Sequence, residues 1–501
     1  MLGMLIEKLL VFAEAKLDLS DEDIQYYRNV LLFKFDVDKP YKDVLNVSEI
    51  KAMQNAAPLI EELEEAIAAS NNEKIKNINV ESTIVDILGM LTPIPSVVNR
   101  IFYERHKRVP HRATDYLYNL GVANNYIKQS EVSKNIKWSG KFGENTINLA
   151  INVAKPEKDN KAIAAVLQED DDEKYPSCAL CLENVGFGGS ATVPPRQTLR
   201  AVPLKLEDEK WYLQYSPFQY FDRHAIVVSE EHKPMIITPR IFGKLLAFTD
   251  LFPHFFIGSN SDLPIVGGSI LNHEHFQGGA KVMPLFDAKE RVRIKNKKFI
   301  NVDVSILDWP SSVVKLKSTS KRAIIRTSSL IAEKWLEYEN KELDIIPFTE
   351  EVRHATITPI VLKERKTYTM YLVLRNNRTN AEHPDGIFHS HKQYHHIKKE
   401  GIGIIEHLGT FILPARLVRE ASELQAAFEA GQSFEDLIKE HEDLKLYAPF
   451  YTELLNADKA NFEQIYREYV KDVALKILDN SAVFKADEAS QKAFIKFIKT
   501  L

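Results

Sequence analysis

The chain has 501 residues, of which 45% are hydrophobic, and a formal charge of −5 from 65 basic and 70 acidic side chains. This length and composition predict a folded protein of two or three domains and exclude an intrinsically disordered chain. The charge lacks the basic excess typical of nucleic-acid binding, and no apolar run reaches the roughly 18 residues of a membrane span. We therefore expect a cytoplasmic protein that binds neither nucleic acid nor membrane.

The first 135 residues are predicted to be a mainly helical N-terminal extension. Residues 1–16 form an amphipathic helix pattern rather than a signal peptide. Ser20 is the predicted N-cap of a helix with an acidic first turn, since a side-chain oxygen and negative charge both suit this end. Further helices are predicted over residues 47–70, with Ser48 as a possible cap, and near residues 112–129.

From residue 136 onward, alternating apolar residues predict strands, interrupted by a few helices. A polar helix and loop are expected over residues 156–178, and further helices near 240–252 and over 321–343. After residue 417 the pattern is helical again. The predicted domains are 1–135, 136–290, 291–417 and 418–501, and the middle two each carry strands followed by a His-x-His element.

Residues 260–284 hold the most informative pattern, in which glycine pairs flank Asn-His-Glu-His-Phe-Gln. On a strand, His273, His275 and Gln277 would share one face, and Glu274 would lie on the other. The glycines, among them Gly268 next to Ser269, allow the backbone to approach a phosphate group. A neutral imidazole can attack phosphorus and form a phosphoramidate. The segment is therefore either a phosphate site or a strand with two surface or hydrogen-bonded histidines. A zinc-peptidase HExxH motif is excluded because residue 277 is Gln.

Cys178 and Cys181 are the two cysteines of the chain and form one Cys-x-x-Cys motif. The motif allows a redox pair, half of a zinc site or two unremarkable thiols. Zinc is favoured over redox because no strand–CxxC–helix unit is apparent, and His232 and His273 are candidates for the missing ligands. A zinc ion bound to His273 would fix the strand that presents His275.

Residues 383–401 contain five of the fifteen histidines and indicate a metal site, a phosphate site or a solvated polar strand. Arginine and lysine side chains nearby could take a phosphate dianion. These basic residues are Arg375, Arg378, Lys398 and Lys399.

Farther upstream, Trp211 and Tyr215–Phe218 are either core aromatics or a base-stacking pocket.

With these motifs the chain resembles the galactose-1-phosphate uridylyltransferases of the histidine-triad superfamily, and most closely their class II branch. The resemblance covers roughly residues 140–420. The motifs that carry it are INVAKPEKDNKAIAAV, YPSCALCLEN, YSPFQYF, DLPIVGGSILNHEHFQGG, RHATITPI, VLRNNRT and HHIKKEGIGIIEHLG…LPARL.

The resemblance implies exchange of UMP between UDP-glucose and galactose 1-phosphate in galactose metabolism, by a ping-pong mechanism. His275 matches the nucleophile, and Gln277 stands where hydrolytic relatives carry a third histidine. Ser269 matches a phosphate-contacting serine. Together with the residues above, the candidate substrate-binding set is Phe218, Asn260, Gly268, Ser269, Arg375 and Arg378.

The resemblance also implies metals, an assembly and a fold. The fold expected is α+β, an antiparallel half-barrel sheet of two histidine-triad repeats with helical N- and C-terminal extensions, in a homodimer without an organic cofactor. Zinc would be held by Cys178, Cys181, His232 and His273. A second structural metal, Fe or Zn, would be held by Glu290, His383, His389 and His391.

Two other functions are compatible with the same motifs. One is a histidine-triad phosphorylase or hydrolase that acts on dinucleoside polyphosphates or nucleotide sugars. The other is a zinc-stabilised protein that binds nucleotide sugars without catalysis. Accumulation of free UMP without a sugar-phosphate acceptor would indicate the first function. The second predicts that His275→Ala leaves all measurable behaviour except some affinity intact.

Overall fold

A computed structural model of the chain describes residues 1–153, 175–190, 192–455 and 461–501. Most of the helix and loop predicted over 156–178, and most of the INVAKPEKDNKAIAAV motif, lie outside these ranges. The chain forms two compact units. The first comprises the described parts of Met1–Ser133, Asp170–Gln219 and Arg223–His232, and the second those of Lys134–Glu169, Tyr220–Asp222 and Lys233–Leu501.

The first unit is mainly helical up to residue 133, as predicted. Its helices, within the described residues, are α1 (Leu2–Lys16), α2 (Asp21–Lys34), α3 (Val47–Ala52), α4 (Ala57–Ala68), α5 (Glu73–Lys76), α6 (Val80–Leu91), α7 (Pro95–Arg108), α8 (Pro110–Ala123) and α9 (Gln129–Val132). None of the described helices is by itself long and apolar enough to cross a membrane, although α6 and α7, bent by 54°, meet the criteria of length and composition as a pair.

The helix starts follow local capping chemistry. Ser20 is at the N-cap position of α2, as predicted, and three acidic residues occupy the first turn, but the Ser20 hydroxyl donates to the Asp23 carboxylate and accepts no N–H from the described backbone of α2. The single helix predicted over residues 47–70 is wrong, because the structure has α3 and α4 separated at residues 53–56. Pro58 lies in the first turn of α4, where its missing N–H costs no helical bond. Asn46, rather than Ser48, caps α3 by accepting from the backbone N–H of Glu49.

The strands of the described residues are numbered here through both units. They are β1 (Ile136–Phe142), β2 (Asn145–Asn152), β3 (Val202–Leu206), β4 (Glu209–Tyr215), β5 (Ala225–Ser229), β6 (Phe255–Gly258), β7 (His275–Ala280), β8 (Glu290–Ile294), β9 (Asp303–Leu307), β10 (Val313–Ser318), β11 (Phe348–Thr349), β12 (Val352–Arg353), β13 (Ala355–Glu364), β14 (Thr367–Asn376) and β15 (Thr410–Pro414).

In the first unit, β3, β4 and β5 form an antiparallel meander. Trp211 of β4 is fully buried, which identifies it as a core aromatic rather than part of an open stacking pocket. Its neighbours across the sheet are Leu204 of β3 and Ser229 of β5. The meander leads the chain to His232, three residues after β5 ends.

The helices of the second unit lie between its strands along the chain and form most of the described residues after β15. Within the described residues they are α10 (Pro239–Leu251), α11 (Lys321–Leu336), α12 (Ile404–His407), α13 (Arg416–Ala430), α14 (Phe434–Glu440), α15 (Ala448–Leu454), α16 (Phe462–Ser481) and α17 (Glu488–Thr500). The helix predicted over 321–343 ends early at Leu336, and a short 3₁₀ turn follows at Lys341–Leu343. Asn340 caps this turn, because its Oδ1 accepts from the N–H of Leu343.

The main sheet of the second unit is antiparallel, with the strand order β7-β6-β13-β14-β10-β9-β8. Helices α10 and α11 pack against it. Apolar side chains such as Ile360, Tyr371 and Val373 lie in a core that also includes Ile402 and Phe411. A smaller sheet, β1-β2-β15, pairs β15 parallel to β2.

The predicted α+β class, with an antiparallel main sheet and helical ends, is therefore confirmed. The origin of the sheet in two repeats and the four-domain division remain predictions.

Candidate functional site

The HxHxQ segment lies at the start of β7. The strand begins at His275, which is buried, and Gln277 is two residues further on the same face. Phe276 points to the other face and is fully buried. His273 and Glu274 precede the strand, so only the later part of the motif has the predicted strand geometry.

Strand register places Arg375 on the same sheet face as His275 and Gln277. Gln277 pairs with Gly258, Gly258 with Ile360, and Ile360 with Tyr371. Directly paired residues project to one side of a sheet, and so do residues two apart along a strand. Arg375 lies four residues after Tyr371 on β14 and therefore shares that side.

A short hydrogen bond fixes the ring of His275. Its Nδ1 lies 2.8 Å from the carbonyl oxygen of His273. A carbonyl can only accept, so Nδ1 must carry the proton. In a neutral imidazole the lone pair then resides on Nε2.

The glycine-rich loop folds back on Asn260. A Cβ atom on Gly268 would lie 2.6 Å from Asn260 Nδ2, so only glycine fits this approach without displacement. Asn260 is buried, and its Oδ1 accepts from the backbone N–H of Ile404 at 3.0 Å. The structure thus brings together two of the candidate substrate-binding residues, whereas Ser269 is exposed at the end of the loop.

Arg375 and Arg378 have different surroundings. Arg375 is fully buried and donates from Nη2 to the carbonyl of Ile402 at 2.9 Å. Burial lowers the pKa of this guanidinium to about 9, although nearby Glu406 opposes the effect. Arg378 instead pairs with the exposed Asp344, at 2.6 Å. Phe218, the remaining candidate, belongs to the first unit and is half-buried there.

Three predicted zinc ligands cluster within the first unit. The two sulfurs of Cys178 and Cys181 are 3.4 Å apart, and Cys181 Sγ is 3.4 Å from His232 Nδ1. Ligands of a tetrahedral zinc ion would be about 3.8 Å apart for two sulfurs and about 3.6 Å for sulfur and nitrogen. Because the cysteines are free thiols, the residues fit zinc closely. His273, the fourth candidate, is almost completely buried in the second unit.

The four residues predicted to hold a second metal are engaged elsewhere. Glu290 of β8 pairs with Arg293 at 2.8 Å and with Lys315 at 3.5 Å. The rings of His383 and His391 stack at 4.0 Å, and His389 accepts from the N–H of Ile402. Burial, together with the charge of Arg375, lowers the pKa of His389 to about 3. Within the described ranges, no three of these candidates bring their ligand atoms together.

The sequence patterns did not identify two charged residues near the site, Lys244 and Asp262. Lys244 of α10 is buried and contacts Glu274 at 3.0 Å. The carboxylate of Asp262 accepts from the N–H of Ile237, from Arg353 and from Thr356. A lone lysine inside the apolar run of α10 was the available signal for the first, and nothing in the sequence pointed to the second.

Comparison with known proteins gives one family throughout. Residues 41–234 match the model of the galactose-1-phosphate uridyl transferase N-terminal domain, and residues 248–445 match its C-terminal domain. A galactose-1-phosphate uridylyltransferase of Clostridium perfringens (strain SM101 / Type A) is 36% identical, covering 100% of this chain and 99% of its own. That of Caldanaerobacter subterraneus subsp. tengcongensis is 38% identical over 99% and 97%.

A crystal structure of yeast Ap4A phosphorylase Apa2 covers 59% of this chain and 90% of its own, at 13% identity and a TM-score of 0.33. This likeness is too low to support an inference about function. The family models and the full-length relatives lead to one conclusion: the chain belongs to the galactose-1-phosphate uridylyltransferases, a family of transferases.

Proposed function

We propose that the protein exchanges UMP between UDP-glucose and galactose 1-phosphate through a uridylyl-His275 intermediate. In the first half-reaction, His275 Nε2 forms a bond to the α-phosphorus of UDP-glucose. The phosphorus–oxygen bond to glucose 1-phosphate breaks, and its electron pair leaves with the sugar phosphate. In the second, a phosphate oxygen of galactose 1-phosphate attacks the same phosphorus and returns the electron pair to Nε2.

The tautomer of His275 is the observation that carries this proposal. Donation from Nδ1 to the carbonyl of His273 leaves the lone pair on Nε2. In the neutral imidazole with this tautomer, Nε2 needs no additional base, and the intermediate divides one displacement into two easier ones. The family membership of the chain supports the same chemistry.

Gln277 would bind the phosphoryl oxygens in the transition state. It shares the sheet face of His275, and its amide can donate hydrogen bonds but cannot readily transfer a proton. A sugar phosphate is a good leaving group, so a strong general acid is not required. Gly268 and Asn260 would present the loop to the phosphates, with Ser269 at its end and Phe218, Arg375 and Arg378 as further substrate contacts.

Zinc would have a structural role, held by Cys178, Cys181, His232 and His273. The close approach of the first three supports this assignment. Chain connectivity supports the fourth, because the N–H of Glu274 donates to the carbonyl of Lys233 at 2.7 Å. Glu274 directly follows His273, and Lys233 directly follows His232. The homodimer and the cytoplasmic location remain predictions.

Trapping the intermediate tests the proposal. The protein is incubated with UDP-glucose alone and quenched in alkali, in which phosphoramidates survive, and its intact mass is measured. The expected result is one added uridylyl group, which galactose 1-phosphate removes as UDP-galactose. His275→Asn should form no adduct, whereas His441→Asn, at a partly exposed histidine of the C-terminal region, should behave as the wild type.

Two outcomes would contradict the proposal. Absence of an adduct in the wild-type protein would exclude the covalent intermediate. Steady accumulation of UMP without any sugar-phosphate acceptor would indicate a hydrolase instead.

A further inference from the structure

Glu274, between the two histidines of the motif, is a buried acid with one buried basic partner and a second, partly exposed one. Its side chain is 7% exposed and contacts the Nζ of Lys244 with both carboxylate oxygens, at 3.0 and 3.3 Å. Lys244, on α10, has a side chain only 5% exposed. Lys233 approaches the same carboxylate at 3.7 Å.

Such a pair restricts the movement of the chain that carries it. A carboxylate or an ammonium group buried without a partner is strongly unfavourable, so the two groups must remain together. In a water-poor environment the charge-assisted contact is also electrostatically stronger than it would be in water. The side chain of Glu274 is therefore held by α10.

The backbone of Glu274 is held as well. Its N–H donates to the carbonyl of Lys233 at 2.7 Å. The side chain contacts one segment and the main chain another, so neither rotation nor translation of residue 274 is free. The next residue is His275, whose Nδ1 donates a hydrogen bond to the carbonyl of His273, the residue that precedes Glu274.

We propose that Glu274 and Lys244 are positioning residues that aim Nε2 of His275 at the phosphorus atom. The proposal rests on the proposed function and adds two residues to it, Glu274 just before β7 and Lys244 on α10. Neither touches the reacting atoms. They act by holding the peptide unit that precedes the nucleophile.

The expected effect is on the chemical step rather than on substrate binding. A displacement of a reacting atom by about 1 Å can cost about 100-fold in rate. We therefore expect Glu274→Gln and Lys244→Met each to lower the saturating single-turnover rate of adduct formation by about 10- to 100-fold. The UDP-glucose concentration for half-saturation and the zinc content should change by less than about threefold.

A double variant separates positioning from stability. Replacing both groups, as Glu274→Leu with Lys244→Met, removes the buried charge that each single variant leaves without its buried partner, so the melting temperature should recover. The rate should remain low because the anchor is gone. Recovery of the rate together with the melting temperature would overturn the proposal and leave the pair a merely structural role.

A second ion pair on the same helix provides the matched control. Asp250 of α10 contacts Lys363 of β13 at 2.7 Å, away from the histidine motif. Lys363→Met should leave the rate of adduct formation unchanged. Wild-type rates in Glu274→Gln and Lys244→Met would refute the positioning role but leave the proposed function intact. Absence of an adduct in the wild-type protein would refute the proposed function and the positioning role together.

Discussion

The carboxylate of Asp262 lies 2.7 Å from the guanidinium of Arg353, at the beginning of the glycine-rich loop. The side chain of Asp262 is 1% exposed and also accepts from Thr356 at 2.6 Å and from the N–H of Ile237 at 2.9 Å. One buried acid thus joins the loop to β12, to β13 and to the segment before α10.

Asp262→Asn should destabilise the protein and loosen the loop. The amide cannot accept from three donors as well as the carboxylate does, and we expect a loss of about 2 kcal/mol in the free energy of unfolding. Urea denaturation measures this loss. Asp344→Asn, which breaks the exposed pair with Arg378, should cost less than about 0.5 kcal/mol. Equal stability of the two variants would contradict the anchoring role of Asp262.

Gly268→Ala should impair substrate binding without unfolding the chain. The new Cβ would meet Asn260 Nδ2 at 2.6 Å, so the loop or the asparagine must move. We expect the half-saturating concentration of UDP-glucose to rise about tenfold, about 1.4 kcal/mol. Gly401→Ala is the control, since its Cβ would make only ordinary contacts at 3.7 Å. A wild-type response of Gly268→Ala to UDP-glucose would show that the loop does not contact substrate.

Cys181→Ser should abolish zinc binding, because a serine hydroxyl is a much weaker zinc ligand than a thiolate. Elemental analysis of the purified protein should give about one zinc per wild-type chain and far less in the variant. The melting temperature should fall in parallel. His383→Ala should retain the zinc, and full zinc content in Cys181→Ser would refute the assignment of this ligand.

Acid should destabilise the protein partly through His396. Burial lowers the pKa of this histidine from 6.5 to about 4, and its Nε2 lies 2.7 Å from the hydroxyl of Tyr469. The unfolded chain therefore binds a proton at a higher pH than the folded chain does. The free energy of unfolding is therefore unaffected by the protonation of His396 above pH 6.5. It decreases as the pH falls from 6.5 toward 4, by roughly 3 kcal/mol in all.

Denaturation curves recorded at several pH values check this prediction. His396→Gln, which has no titrating group, should show a smaller decrease in unfolding free energy between pH 6.5 and 4. The same slope in both proteins would assign the acid sensitivity to other residues, such as the buried His389 and His407, whose pKa values are also lowered by burial.

Local patterns in the sequence predicted most helices and strands, because apolar periodicity reflects burial directly. The pattern over residues 47–70 gave one helix where there are two, since Pro58 suits a first turn as well as a break. The actual cap, Asn46, precedes the predicted Ser48 by only two residues. Such competition between neighbouring caps is decided by backbone geometry and not by residue type.

The parts of the site that lie close together in sequence were the predictable ones. The spacing of Cys178 and Cys181 indicates a zinc or redox site, and the spacing of His273 and His275 indicates a phosphate site. Lys244 is 30 residues from Glu274, and Arg353 is 91 residues from Asp262. Contacts of this range depend on how strands and helices pack. The interaction of Glu290 on β8 with Lys315 on β10, across the intervening strand β9, has the same origin, and it occupies a residue predicted to bind metal.

The parallel pairing of β15 with β2 has a consequence for how the chain folds during synthesis. Asn148 pairs with Thr410, so the strand that completes this sheet is made some 260 residues after the strand it joins. Until then β2 has only β1 beside it, and its other edge carries unpaired backbone groups open to aggregation. Truncation before residue 410 should therefore yield an aggregating product, and a chaperone that shields β2 would be needed longest for this part of the nascent chain.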